Sequence, residues 1–185
     1  MSKEIISKTI GSLKQDESFS DWWKSAEIEI PLMNKEKLAI TFMDFEPEHD
    51  TTFVEEADQA LENFLRLTID DRNSISEFAY KNCMDFLEAV GYDEDDEPLW
   101  EIQNHDKIWN FVQPTEIYIS RRHRRDKDIY VQIVCECDWE QEHGLQLVFR
   151  QGKQLTRISS QDGHITEADA YDKPDSEDEL LSKFI

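Results

Sequence analysis

Residues 128–164 read DIYVQIVCECDWEQEHGLQLVFRQGKQLTRISSQDGH, and this stretch decides the fold class. Ile129, Val131, Ile133, Cys135 and Cys137 fall on one face of an extended chain, and Tyr130, Gln132, Val134, Glu136 and Asp138 on the other. Such strict alternation sends every second side chain toward a core, as a strand does and a helix does not. Leu145, Leu147 and Phe149 alternate in a second run, and Leu155, Arg157 and Ser159 in a third. Trp139 to His143 and Gln151-Gly152-Lys153 divide the runs, and Asp162-Gly163 closes the last. Gly152 can supply the positive φ of a tight hairpin, so the stretch predicts a three-stranded antiparallel meander.

Immediately upstream, Arg121-Arg122-His123-Arg124-Arg125 is a dense basic cluster between this first strand and another around Ile117-Tyr118-Ile119, which places it at a hairpin tip. Further back, two helices are expected. Thr52-Phe53-Val54-Glu55 fits a capping box ahead of an apolar stripe of Val54, Ala57, Leu61, Phe64, Leu65 and Thr68. Ser74-Ile75-Ser76-Glu77 repeats the signal ahead of Ile75, Phe78, Ala79, Phe86, Leu87 and Val90, with Gly91 as a stop. The short link from Ile69 to Asn73 makes them an antiparallel pair.

Before the helices, Ile28, Ile30 and Leu32 alternate, then Leu38, Ile40 and Phe42 do so after Asn34-Lys35-Glu36, which predicts a β-hairpin; Pro31, lacking an N–H, puts its first strand at a sheet edge. Ile5, Ile6, Ile10 and Leu13 have roughly helical spacing, so a short docking helix is expected over residues 4–14, weakened by Gly11. The adjacent Trp22 and Trp23 cannot both point inward from one strand, so one of them should cover the core edge. Together these signals predict an α+β domain: an N-terminal β-hairpin, an antiparallel helix pair and a C-terminal antiparallel β-meander, with the helices on one sheet face. Residues 26–171 are expected to form this single domain. Residues 1–25 would be an N-terminal segment, and residues 172–185 an acidic C-terminal tail whose Leu180, Leu181, Phe184 and Ile185 dock as one helical turn.

The 185-residue chain holds 20 Lys and Arg against 42 Asp and Glu, a formal charge of −22. A field of that sign attracts cationic proteins and disfavours nucleic acid and anionic membranes. Its three cysteines make no disulfide framework, the first residues lack the uninterrupted apolar core of a signal peptide, and no apolar run approaches spanning length, so a cytoplasmic location is expected. The acidic run Asp93 to Glu97 lacks calcium-loop spacing and fits a solvated connector.

The five glycines form neither G-x-G-x-x-G nor G-x-x-x-x-G-K, which excludes nucleotide binding by those loops, and no other cofactor is indicated. Cys135-x-Cys137 has the wrong spacing for a common zinc knuckle and lies on the apolar face, so no metal is assigned. One constellation could carry chemistry or binding. In a meander, the loop after the first strand and the one after the third lie at the same sheet end, bringing Trp139, Glu140, Glu142 and His143 toward Asp162 and His164. The bland alternative is that each histidine bonds to its own loop. At the basic tip, Arg121, Arg122, Arg124 and Arg125 could bind phosphate. Without interleaved aromatics and inside a negative field, pairing with the chain's own carboxylates or simple solvation is favoured.

The segment Trp139-Glu140-Gln141-Glu142-His143-Gly144-Leu145, followed by Val148-Phe149-Arg150-x-Gly152, Leu155-x-Arg157-x-Ser159 and Asp162-Gly163-His164, resembles the C-terminal block of a group of small, uncharacterised bacterial domains. Some of that group are encoded near polymorphic toxins and are immunity-like. The likeness is concentrated in this block, with the helix pair and Pro114-x-x-Ile117 in compatible order. It implies a fold and a setting, and no catalytic residues. The leading expectation is a non-enzymatic, acidic protein-binding domain, an immunity protein that neutralises a cationic toxin. The alternative is an enzyme or metal-binding module built on the His143/His164 end of the sheet.

Overall fold

A computed structural model of the chain describes residues 3–184. Met1, Ser2 and Ile185, the last of them assigned above to the docking end of the tail, lie outside the described residues.

The meander forms where the alternation places it. Strands β8 (Ile129–Cys137), β9 (Leu145–Arg150) and β10 (Gln154–Ser159) pair antiparallel in that order. The β9–β10 turn has Gln151 at φ 52° and Gly152 at φ 66°. The three residues Gln151 to Lys153 suffice to join the strands, because two successive positive φ values match the twist of the flanking strands. A bulge between Leu155 and Arg157 shifts the register of β10. Leu155, opposite Phe149, stays on the inner face, whereas Arg157 and Ser159 oppose Val148 and Gln146 on the outer one. The sequence pattern put all three on a single face, because an inserted residue cannot be seen in alternation alone.

Upstream lie β1 (Glu4–Ser7), β2 (Gly11–Gln15), β3 (Trp23–Ser25), the small β4 (Ile28–Ile30) and β5 (Glu36–Leu38), then β6 (Ile40–Phe42) and β7 (Val112–Arg121). The main sheet has eight strands in the order β1-β2-β3-β6-β7-β8-β9-β10, and β4 and β5 pair as a separate hairpin. The helix expected over residues 4–14 is therefore a β-hairpin. Ile5 pairs with Leu13, and Gly11 takes φ 81° at the turn. The turn is held by Asp58, which accepts hydrogen bonds from the Ser7 hydroxyl and the Lys8 N–H (2.9 Å). That long-range contact overrides the local spacing. Within residues 1–25, set apart by the sequence pattern as a segment of their own, three strands thus join the main sheet, and Leu13 and Trp23 are buried in its core. The predicted hairpin over 28–42 is shorter than expected. Pro31 opens a 3-10 turn that ends β4, and residues 40–42 leave the hairpin to pair with β3 and β7.

β6 and β7 run parallel, which requires the chain between them to cross back over the sheet. That crossover carries α1 (Phe53–Phe64), the short α2 (Ile69–Ser74), α3 (Ser76–Val90) and α4 (Glu97–Trp100), so the helices gather over one face. Their stripes meet the strands at Phe64 and Phe149, with rings 5.8 Å apart. Phe45 stacks on Phe53 at 4.3 Å. The capping boxes expected at Thr52 and Ser74-Ile75-Ser76-Glu77 do not form. Ser76 serves the interior instead, donating to Asp106 and accepting from the Trp109 indole N–H, both at 2.8 Å. Capping boxes form instead at Thr68 and Asp71, where the expected link becomes α2, and at Asp93 and Asp96.

The opposite sheet face is partly covered by the C-terminal segment. Tyr130 and Val148 pack there against Ala168 of α5 (Glu167–Ala170), Leu181 and Ile165. The expected helical turn at the end of the chain is a 3-10 turn at Leu181–Lys183, with Leu181 buried. Phe184 lies beneath the Arg150 guanidinium, 4.5 Å from ring centre to charge.

A Cβ on Gly152 would sit 1.9 Å from the Ala60 carbonyl oxygen of α1, so this turn touches the helix backbone as well as bending. Gly11 has open space around it. Gly152→Ala should combine the left-handed φ cost with overpacking of about 1–3 kcal/mol, whereas Gly11→Ala should cost only the φ penalty of about 1–2 kcal/mol. Urea unfolding of the two variants checks the order.

Candidate functional site

Each histidine-bearing loop closes on itself, and the two histidines line different clefts: His143 lies with Glu116 and Gln161, and His164 with Arg122 and Arg125 of the basic tip. Glu140 is buried and accepts hydrogen bonds from the N–H groups of Glu142 (3.0 Å) and His143 (3.1 Å) and contacts His143 Nδ1 at 3.0 Å. Burial pushes its carboxyl up, but these donors outweigh it and hold the group below its ordinary value. Trp139, also buried, donates its indole N–H to Asn82 of α3 at 3.1 Å, which anchors the loop to the helical layer. Glu142 and His143 are exposed.

In the second loop, Asp162 takes both terminal nitrogens of the buried Arg157, at 2.8 and 2.5 Å, and accepts from the His164 N–H at 3.0 Å. Burial raises the Asp162 carboxyl while the arginine pair lowers it, and the net shift is downward. Gln146, fully buried between the strands, donates its amide to Ser159 Oγ and the His164 carbonyl, each at 3.0 Å, and accepts from Gln132. Among the described residues no hydrogen bond or ion pair joins the acids and histidines of one loop to those of the other. No three His, Cys, Asp or Glu side chains among them converge on a point that could hold a metal.

The thiols offer no nucleophile. Burial pushes Cys83 up to about 12 and Cys137 up to about 11, and it raises Cys135 as well.

The basic tip is where charge is concentrated and organised. Consecutive residues of a strand point to opposite faces, so Arg121 and Arg122 serve different layers. Arg121 reaches the helical layer, binding Asp50 at 2.5 Å and Glu56 of α1 at 2.7 Å. Arg122, with only 4 % of its surface exposed, is ringed by Asp126 (2.8 Å), Asp169 of α5 (2.7 Å) and Asp175 (2.7 Å). Arg125 adds contacts to Asp169 at 3.3 Å, Asp175 at 2.6 Å and the Lys173 carbonyl. Tyr130 completes the ring by donating to Asp126 at 2.7 Å. Burial alone would lower the Arg122 pKa, and the hydrogen bonds to Asp169, Asp175 and Asp126 reverse that, leaving it raised. Asp169 is lowered, burial notwithstanding, by its bond to Arg122, and Asp175 is lowered first of all by that same arginine. Arg124 and His123 are exposed at the tip.

Asp169, inside the expected domain, and Asp175, in the expected acidic tail, were not among the anticipated site residues. The signal available was an Asp-rich segment from 169 to 178 in a chain with one dense basic cluster.

The fold and these sites define a small α+β domain whose polar clusters fasten its layers together. The chain belongs to the family described as domain of unknown function DUF6985, whose model matches residues 9–165. No curated protein and no solved structure matches it. No helix among the described residues is long and apolar enough to cross a membrane.

Arg122→Met should destabilise the fold at neutral pH by an amount near the lower end of the roughly 3–5 kcal/mol typical of a broken buried pair, since Asp169 and Asp175 stay partly solvated. Both carboxyls have depressed folded-state values. Their contribution is therefore complete above the unfolded value of about 3.9 and is lost as pH falls through the folded values. The stability gap between wild type and variant should narrow steadily below about pH 4. Urea titrations at pH 7, 4 and 3 check it, and an undiminished gap at pH 3 contradicts the assignment.

Proposed function

We propose that this chain is a non-enzymatic protein-binding domain of the immunity type, neutralising a cationic protein toxin by covering its active surface in the cytoplasm. The observation that carries the reading is the fate of the positive charge. Arg121, Arg122, Arg125, Arg150 and Arg157 are all paired with carboxylates of the chain itself. With a formal charge of −22, the outward field is set by the remaining acids, among them the exposed Asp93, Glu94, Asp95 and Glu97. Such a field raises the encounter rate with a cationic partner and suppresses encounter with nucleic acid. Exposed aromatic rings, Phe19 at 53 %, Tyr92 at 52 % and Tyr171 at 72 %, are available to supply short-range affinity. The likeness of the Trp139–His164 block to immunity-like domains points the same way.

The test is to express the chain beside the product of whatever reading frame adjoins its gene, measuring growth and then association kinetics; a neighbour that is neither cationic nor toxic counts against the proposal. Growth arrest by the neighbour should be relieved by this chain. The on-rate should drop by about tenfold or more between 0.05 and 0.5 M salt, with the off-rate changing far less. A neighbour whose toxicity is not relieved, or an on-rate indifferent to salt, counts against the proposal.

A further inference from the structure

We infer that the aromatic ledge formed by Phe19, Trp22 and Tyr118 is a docking surface for an exposed arginine side chain of a cationic protein; the choice of a protein as occupant rests on the binding function just proposed, and the ledge names its surface. The C-terminal segment covers the outer sheet face over Tyr130 and Val148. Tyr118 stands on that face too, opposite Gln132, and Trp22 packs against it with ring centres 5.9 Å apart. Phe19 then stacks on Trp22 at 4.7 Å and 28°, which uses one face of its ring and leaves the residue 53 % exposed.

A single exposed apolar residue is ordinary on a protein surface. This one is held out by its own turn. The Asp16 carboxylate accepts the N–H groups of Ser18 (2.8 Å) and Phe19 (3.0 Å), the Asp16 N–H donates to the Trp22 carbonyl at 2.9 Å, and the Trp22 N–H returns to the Phe19 carbonyl at 3.1 Å. The Gln15 amide also donates to the Ser20 carbonyl, at 2.6 Å. The rings are therefore set before any partner arrives, which lowers the ordering cost of binding.

The charge around the ledge decides what it can hold. Glu17 and Asp21 belong to the same turn, and Asp44 adjoins it, since Phe45 donates its N–H to the Asp21 carbonyl at 2.9 Å. Among the described residues none of these three carboxylates enters an ion pair, and the turn itself contains no lysine or arginine. Of the lysines on that face, Lys24 is bridged to Glu116 at 2.9 Å, and Lys14 stands opposite Glu4 in the β1–β2 ladder. Aromatic faces attract a cation, and a guanidinium both stacks flat on a ring and bonds carboxylates in pairs, which an ammonium does not. A second copy of this chain would bring the same −22 charge to the contact. The ledge therefore fits an arginine from a protein of opposite charge.

The test uses the full chain and the peptide Gly-Arg-Gly-Arg-Gly, with its citrulline counterpart, which keeps the shape and loses the charge. Binding is read from the indole N–H resonances of Trp22 and Trp23. The arginine peptide should shift Trp22 and leave Trp23, whose indole N–H is bonded to the Phe45 carbonyl, in place. Replacing arginine by citrulline should weaken binding by about threefold or more, and so should Phe19→Leu, which keeps apolar contact and removes the ring. Glu17→Gln combined with Asp44→Asn should weaken it likewise; all three positions are exposed, so the variants keep the core intact. A Trp22 resonance that does not move, citrulline bound as well as arginine, or full affinity in Phe19→Leu would overturn the ledge. Self-association of the chain that disappears in Phe19→Leu would overturn the chosen occupant. In the growth assay, relief undiminished in Phe19→Leu removes the surface and leaves the binding function standing, whereas arginine capture at Trp22 with no relief by the wild type removes the function and spares the arginine site.

Discussion

A buried guanidinium needs partners, and at one strand end this chain sets the buried Arg122 beside the partly buried Arg121. Arg121 is the last residue of β7 and Arg122 follows it in still extended chain, so one turns toward α1 and the other toward the C-terminal segment. Each layer is thereby bolted to the same hairpin tip. The pairs themselves are not a large source of stability, because desolvation offsets much of the attraction. Their effect is on specificity of arrangement: any packing that shifted α1 or α5 away would leave a charge without its counter-charge in a poorly solvated place. The layers on both faces of the sheet are indexed to one point.

The rest of the architecture follows from the single parallel pairing of β6 with β7. A parallel neighbour forces a long crossover, and the crossover is the helical layer. Because β6 also pairs with β3, the same strand admits the N-terminal hairpin to the sheet. Asp58 then ties α1 back to the β1–β2 turn, closing the circuit between crossover and hairpin.

Much of this was legible in the sequence where burial has one sign along an element. The meander shows because Ile129 to Cys137 and Leu145 to Phe149 alternate against a single core. The helices show because their stripes face one sheet. What was hidden depends on contacts far apart in the chain. Residues 4–14 carry helical spacing by coincidence, and only Asp58, some 50 positions away, makes them a turn. The Thr156 bulge moves Arg157 to the outer face without disturbing local composition. The ring around Arg122 joins position 122 to 169 and 175, and the matched family region ends at 165, before either carboxylate. Of the anticipated site, the alternation suggested that the His143 and His164 loops would meet at one sheet end, but it could not show that Glu140 and Arg157 would each draw their own loop shut, with the two histidines in different clefts.

Trp22 and Trp23 divide between the faces as the two arginines do. Trp23 is buried on the helical side and donates to the Phe45 carbonyl at 3.0 Å, while Trp22 lies with Phe19 and Tyr118, its ring 4.7 Å from the first and 5.9 Å from the second. Adjacent indoles therefore sample unlike dielectric surroundings. Among the five indoles of the chain, these two form a pair of optical reporters one peptide bond apart, one sensing the interior and the other partly open to a dissolved quencher.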